Sequence, residues 1–271
     1  MNFIKKIFKK YAPRYTTQYL QTILNEKRND YLELMTKTLC GVIYKDSGRM
    51  GGDVTPYNEV TRQYGWDWPM HAHTMIGQKR LENVRTLTEC IIENNIPGDL
   101  IETGVWRGGA SIMMRAVLYA CDISDRKVYL ADSFEGLPPP DAAKYPADTD
   151  SIFHEFSELA VSQEQVQENF MAYGLLDEQV VFVKGWFRDT LPGLNVKKLA
   201  LIRLDGDMYE STMDALESLY DRLSPGGYVI VDDYHVVPAC KKAVHDFWST
   251  QNISPKIQEI DGVGIFWKKI D

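Results

Sequence analysis

The sequence predicts an α/β protein: a doubly wound, mainly parallel sheet with an antiparallel C-terminal edge strand and a helical N-terminal region. Three observations predict it. After Pro97, five short apolar runs alternate with helix-length segments. Polar residues gather where those runs end. The 271 residues are 44% hydrophobic and 25% charged, the balance of a globular chain with a sizeable core.

Before Pro97 the pattern is helical. Leu32, Met35, Leu39 and Val42 recur at helix spacing, and Met75 to Asn95 reads as a helix that stops at the proline. Between them, residues 48–75 are rich in Gly, Pro and aromatics and read as a long ordered loop, either a functional lid or a tail packed on the core. The first residues set Phe3, Ile4, Ile7 and Phe8 against Lys5, Lys6, Lys9 and Lys10. That is an amphipathic helix, either touching an anionic membrane or a partner, or solvated and packed in a dimer. The expected division is 1–96, a helical lid and oligomerisation region, and 97–271, the α/β domain.

The strand candidates are Asp99 to Thr103, Lys127 to Ser133, Gln179 to Gly185, Leu199 to Asp205 and Gly227 to Asp233. Near-continuous apolar runs of this length suit strands buried on both faces of a parallel sheet. The helices between them are Ala110 to Tyr119, a stretch capped by Ser162 with Gln165, Met213 to Leu223 and Ala239 to Ser249. Two last runs, residues 256–261 and 263–269, flank Asp261-Gly262 and predict a terminal hairpin.

Composition excludes some functions. Thirty basic and 38 acidic side chains give a net charge of −8, which argues against general nucleic-acid affinity. No run of eighteen apolar residues predicts a transmembrane helix. Cys40, Cys90, Cys121 and Cys240 are scattered, without zinc spacing, which points to a reduced cytoplasmic protein.

In open α/β sheets ligands bind outside the carboxyl ends of the strands. The first strand runs into Glu102, Thr103 and Gly104, then Gly108, Gly109 and Ser111. These glycines let backbone turn tightly and approach a nucleotide-type ligand, although the loop is not GxGxxG. Asp132 and Ser133 end the second strand, where a carboxylate can accept from ribose hydroxyls. Trp186 follows the third strand, where an aromatic ring can stack on a base.

The fourth and fifth strands end in Asp205, Asp207, Asp232 and Asp233. Four carboxylates at one rim repel one another, so a positive partner is expected. Hard oxygen ligands without thiolates favour Mg²⁺ or Mn²⁺ over zinc. Asp232 and Asp233 are adjacent and serve one ion only if the strand ends and the chain turns there. A cation held by such carboxylates can lower the pKa of a substrate hydroxyl, and a further carboxylate can take its proton.

These segments resemble the macrocin-type O-methyltransferases, metal-dependent enzymes that methylate sugar hydroxyls on natural products. The resemblance rests on IETGVWRGGAS (Ile101 to Ser111), ADSFEGLP (Ala131 to Pro138), KGWFRDTLP (Lys184 to Pro192), IRLDGDMYEST (Ile202 to Thr212) and GGYVIVDDYH (Gly226 to His235), with MIGQKRLENV (Met75 to Val84) before them. It covers roughly residues 30 to 270. The resemblance implies a Rossmann-like fold and S-adenosylmethionine with Mg²⁺ or Mn²⁺ as cofactors. It implies a small-molecule glycoside as acceptor, and a homodimer or higher homo-oligomer. Glu102, Thr103, Gly104, Gly108, Ser111, Asp132, Ser133 and Trp186 look like the cofactor set. Asp205, Asp232 and Asp233 look like the metal ligands, and Asp207, beside Asp205, looks like the catalytic base. The segment before Pro97 is similar to the family's substrate lid.

Alternatives remain open at this point. His235 is a second candidate base, and His71 and His73 are candidate substrate contacts. The acceptor could instead be a catechol-like phenol or another vicinal diol. An NAD-dependent oxidoreductase is disfavoured by the missing GxGxxG, and a non-catalytic sensor leaves the four aspartates unexplained.

Overall fold

The computed structural model describes residues 15–50 and 52–270. The basic segment around Phe3 to Lys10 lies outside the described residues. The first helix, α1 (Tyr15–Leu39), leads into β1 (Gly48–Met50), β2 (Asp53–Thr55), α2 (Glu59–Tyr64) and β3 (Trp68–Pro69). After α3 (Gly77–Glu93) comes the alternating part: β4 (Asp99–Thr103), α4 (Gly109–Ala120), β5 (Val128–Asp132), α5 (Gln163–Ala172) and β6 (Val180–Lys184). The short α6 (Phe187–Thr190), β7 (Leu199–Leu204), α7 (Tyr209–Leu219), β8 (Leu223–Val231), α8 (Pro238–Thr250), β9 (Gln258–Glu259) and β10 (Ile265–Lys268) complete the chain.

The large sheet has the order β6-β5-β4-β7-β8-β10-β9. β4 to β8 are parallel, and β10 runs antiparallel to both β8 and β9. The strand order therefore reverses between β4 and β7, and that switch point is where the site opens.

Successive strand residues face opposite layers, as the pleat requires. Leu100, Leu130, Leu201 and Ile230 pack with α1, α3 and α4, whereas Ile101, Ala131, Ile202 and Val229 pack with α7 and α8. Leu32 and Leu39 of α1 and Leu81, Val84 and Ile91 of α3 share the first of these cores. The predicted cap of α5 is present: Ser162 Oγ accepts from Gln165 N at 3.2 Å.

Two expectations are corrected. Residues 48–75 are not one long loop, because β1, β2 and β3 form a three-stranded sheet braced by α2. Buried polar pairs organise it: the Arg62 guanidinium donates to both carboxylate oxygens of Asp67, at 3.0 and 2.7 Å, and Nη1 donates to Cys40 O at 2.8 Å. The terminal hairpin is also wider than a two-residue Asp-Gly turn. Glu259 pairs with Ile265, and Asp261 Oδ1 accepts from the N–H groups of Val263 and Gly264 to shape the loop between them.

Candidate active site

Close approach at the switch point begins with Gly104, which follows β4 at φ +86°; a Cβ there would lie 1.7 Å from Asp205 O. Only glycine lets the ends of β4 and β7 meet in this way. Asp132, at the end of β5, draws the same loop inward. Its Oδ2 accepts from Val105 N at 2.6 Å and its Oδ1 from Phe134 N at 2.7 Å. Burial raises the Asp132 carboxyl, and these backbone donors oppose the rise.

A cavity of about 400 Å³ opens over these strand ends, lined by Glu102, Gly104, Asp132, Ser133, Trp186, Asp205, Asp207, Asp232 and Asp233 among others. Thr103, Gly108 and Ser111 stand behind its wall. Thr103 Oγ1 donates to Arg203 O at 3.3 Å, and Ser111 Oγ donates to Glu102 Oε2. Gly108, at φ +88°, brings α4 against Val166 of α5, whose Cγ1 would be 2.9 Å from an added Cβ.

The aspartates converge as their spacing requires. β8 ends at Val231 and the chain bends at Asp232 and Asp233, so neighbours that would diverge in a continuing strand face one place. Asp205, Asp232 and Asp233 each offer an oxygen within 4.8 Å of the others. Arg203, fully buried, donates from Nη1 to Glu102 Oε1 at 2.7 Å and to Asp205 Oδ2 at 2.8 Å. Its Nη2 donates to Asp232 Oδ1 at 2.5 Å, and Arg80 of α3 takes Asp232 Oδ2.

Arg203 and Arg80, which also donates to Asp261 at 3.1 Å, thus face six carboxylates, and burial among so many acids shows in their protonation. Burial pushes Glu102 up to about 7 against the pull of Arg203. Asp207 is pushed up to about 8, by burial first and then by Asp205 and Asp232. Asp233 is raised well above the usual carboxylate range by burial and by Asp207 and Asp205, and its buried Oδ2 has no hydrogen-bond partner. Three carboxylates with oxygens within reach of one ion, one of them carrying a buried oxygen that has no partner, fit a hard divalent cation.

The histidines separate. His235 turns away from the cavity, and its Nε2 meets Glu259 Oε2 at 2.9 Å. It therefore lies in the wrong place to act as the base. His71 does not line the cavity either. His73 does, with Nδ1 2.8 Å from Tyr173 OH, and burial lowers its pKa.

Residues 52–269 match the macrocin O-methyltransferase (TylF) family. The chain belongs to that family. This methyltransferase is 52% identical over 246 residues to the 8-demethyl-8-(2,3-dimethoxy-alpha-L-rhamnosyl)-tetracenomycin-C 4'-O-methyltransferase of Streptomyces olivaceus, covering 90% of this chain and 94% of that protein. It is 46% identical over 244 residues to the mycinamicin III 3''-O-methyltransferase of Micromonospora griseorubida, covering 88% of this chain and 96% of the relative. The solved structure of the O-methyltransferase NovP superposes with a TM-score of 0.87 at 49% identity, over 90% of this chain and 100% of that one. The calicheamicin methyltransferase CalS11, at 19% identity and a TM-score of 0.58 over 71% of this chain and 79% of its own, shares the fold.

Three features of the methyltransferase's site escaped sequence reasoning. Arg203 left a signal, since a lone charge inside a strand buried on both faces must be paired. Arg80 left none, because its partner Asp232 lies 152 positions away. The third is the strap between β5 and α5, where Leu137, Pro138, Phe153 and Leu159 line the cavity. Its Asp148, 1% exposed, accepts from Tyr209 N at 2.7 Å and Glu210 N at 3.0 Å, capping α7 from a distance.

Proposed function

We propose that this O-methyltransferase carries the methyl group of S-adenosylmethionine to a hydroxyl of a sugar, deoxysugars included, on a glycosylated natural product, with Mg²⁺ or Mn²⁺ at the aspartates. The observation that carries this reading is the convergence of Asp205, Asp232 and Asp233 oxygens in the same cavity as the Gly104 loop. The named activities of the relatives support the acceptor class.

The cofactor would supply a sulfonium methyl ready for in-line displacement, and its neighbours on the wall are Glu102, Gly104, Asp132, Ser133 and Trp186. Thr103, Gly108 and Ser111 would act by shaping that wall. A divalent cation held by Asp205, Asp232 and Asp233 would lower the pKa of a sugar hydroxyl. Asp207 is the proposed base, taking the hydroxyl proton at a carboxylate oxygen. Holding the reacting atoms in line supplies much of the rate.

Residues 1–96 are proposed as the lid and oligomerisation region of a homodimer or higher homo-oligomer. The four free cysteines suit the reducing cytoplasm. Among the described residues no helix is long and apolar enough to cross a membrane.

The reading is tested by incubating the protein with labelled S-adenosylmethionine and a panel of glycosides, with and without EDTA. Methyl transfer to a sugar that stops on chelation is expected, and transfer that ignores EDTA overturns the metal assignment. Asp205→Asn should abolish turnover while leaving cofactor affinity within about threefold; loss of cofactor binding would relocate the site.

A further inference from the structure

The cavity's rim carries an aromatic feature that the transfer chemistry does not use. Trp66 lines the cavity and is nevertheless 54% exposed. Aromatic surface left in water on the wall of a ligand cavity offers an incoming ligand a contact surface, because covering it is favourable.

The ring is held in place. One face stacks on Tyr64, with centroids 4.8 Å apart and planes 23° from parallel, and Lys79 Nζ lies 3.8 Å from the Tyr64 centroid. Gly65, at φ +63°, ends α2 against the start of α3; a Cβ on it would lie 2.5 Å from Ile76 O, and one on Gly77 would lie 2.3 Å from Gly65 N. This backbone contact sets the indole relative to α3.

Its position relative to the aspartates follows from α3. Arg80 donates from Nη2 to Tyr64 O at 3.3 Å and from Nη1 to Asp232. A single guanidinium therefore spans the aromatic rim and the carboxylate cluster. After the bend that carries Asp233, Val236 donates its N–H to Asp233 O at 3.1 Å and lines the same cavity with its side chain 56% exposed. Two exposed apolar side chains thus line the cavity that holds the aspartates, Trp66 stacked on the Tyr64 whose carbonyl Arg80 holds, and Val236 three residues after Asp233.

We propose that Trp66, together with Val236, forms the subsite for an apolar aglycone carried by the sugar that enters the aspartate cavity. The inference rests on the glycoside reading above and adds a residue-level cause for discrimination among acceptors. The indole's free face would take the flat or apolar group next to the glycosidic bond. A bare sugar would leave that surface in water and gain nothing from it. A preformed platform also spares the entropy of ordering a loop around the acceptor.

The test uses matched 4-nitrophenyl and methyl glycosides of several hexoses and 6-deoxyhexoses, titrated calorimetrically into the protein with S-adenosylhomocysteine and Mg²⁺ present. In the unmodified protein, for the sugars that bind, the aryl glycoside should bind about tenfold more tightly than its methyl partner. Trp66→Ala should reduce that ratio to within about twofold, while Trp66→Phe keeps most of it. S-adenosylhomocysteine affinity measured on both variants should stay within about twofold, since the indole is largely exposed. Equal affinity of the two glycosides, or an aryl preference that survives Trp66→Ala, would overturn the subsite while leaving the glycoside reading intact. Failure of every glycoside to bind would overturn both.

Discussion

Arg80 of α3 donates to Asp232 Oδ2 across 152 positions of sequence. The pair joins the helical N-terminal region to the rim where the proposed metal ligands gather. Asp232 has its other oxygen on Arg203 at 2.5 Å, so its orientation is set before any cation arrives. Pre-oriented ligands lose little freedom on binding, which favours a site built on strand ends.

Removing the central cation should be severe. Arg203→Met leaves the buried Glu102 and Asp232 and the partly buried Asp205 with only Arg80 nearby, and breaking a buried ionic network in this way costs about 3–5 kcal/mol. Calorimetric unfolding should show a correspondingly lower midpoint, or the variant should fail to fold. A variant as stable as the parent would mean that the carboxylates are protonated and the network is weaker than its geometry.

Metal should stabilise the fold by mass action. At a hundredfold excess of Mg²⁺ over its Kd, the native state gains about 2.7 kcal/mol, provided the unfolded chain does not bind. The expected result is a rise in thermal midpoint that EDTA reverses. Asp233→Asn should blunt the rise by weakening the ligand set, and an undiminished rise in that variant would place the ion elsewhere.

Asp148 should act through the helix that it caps. Asp148→Ala leaves the Tyr209 and Glu210 N–H groups without their acceptor, and losing such a cap costs about 1–2 kcal/mol. Turnover should fall with little change in S-adenosylhomocysteine affinity, because Asp207, at φ +57°, sits in the turn just before α7 whose first N–H groups this cap holds. Unchanged stability and turnover would show that water replaces the carboxylate at no loss.

Glu102 predicts a pH dependence. Its ordinary value of 4.5 is raised to about 7 in the folded protein, mainly by burial. A carboxyl raised on folding contributes stability below its unfolded value and loses it as pH rises through the folded one. Glu102→Gln removes this loss. The thermal midpoint of the variant relative to the parent should therefore climb between pH 5 and pH 7.5, and a difference constant over that range would place the titration on another group.

The sequence by itself determined the order of strands and helices, the glycine loop and the placement of aspartates at strand ends. Those features are local: apolar runs between turns, a cap such as Ser162 on Gln165, and the rule that ligands sit at carboxyl ends. The five motifs also sufficed to resemble the right family. Tertiary structure alone decided what depends on groups far apart in sequence. It paired Arg80 with Asp232, folded residues 48–69 into a small sheet around the buried Arg62–Asp67 pair, and sent Asp148 to cap α7. It also turned His235 toward Glu259 and left Trp66 exposed at the rim. Periodicity reports which face of an element is apolar; which distant partner meets that face is settled only when the whole chain closes on one core.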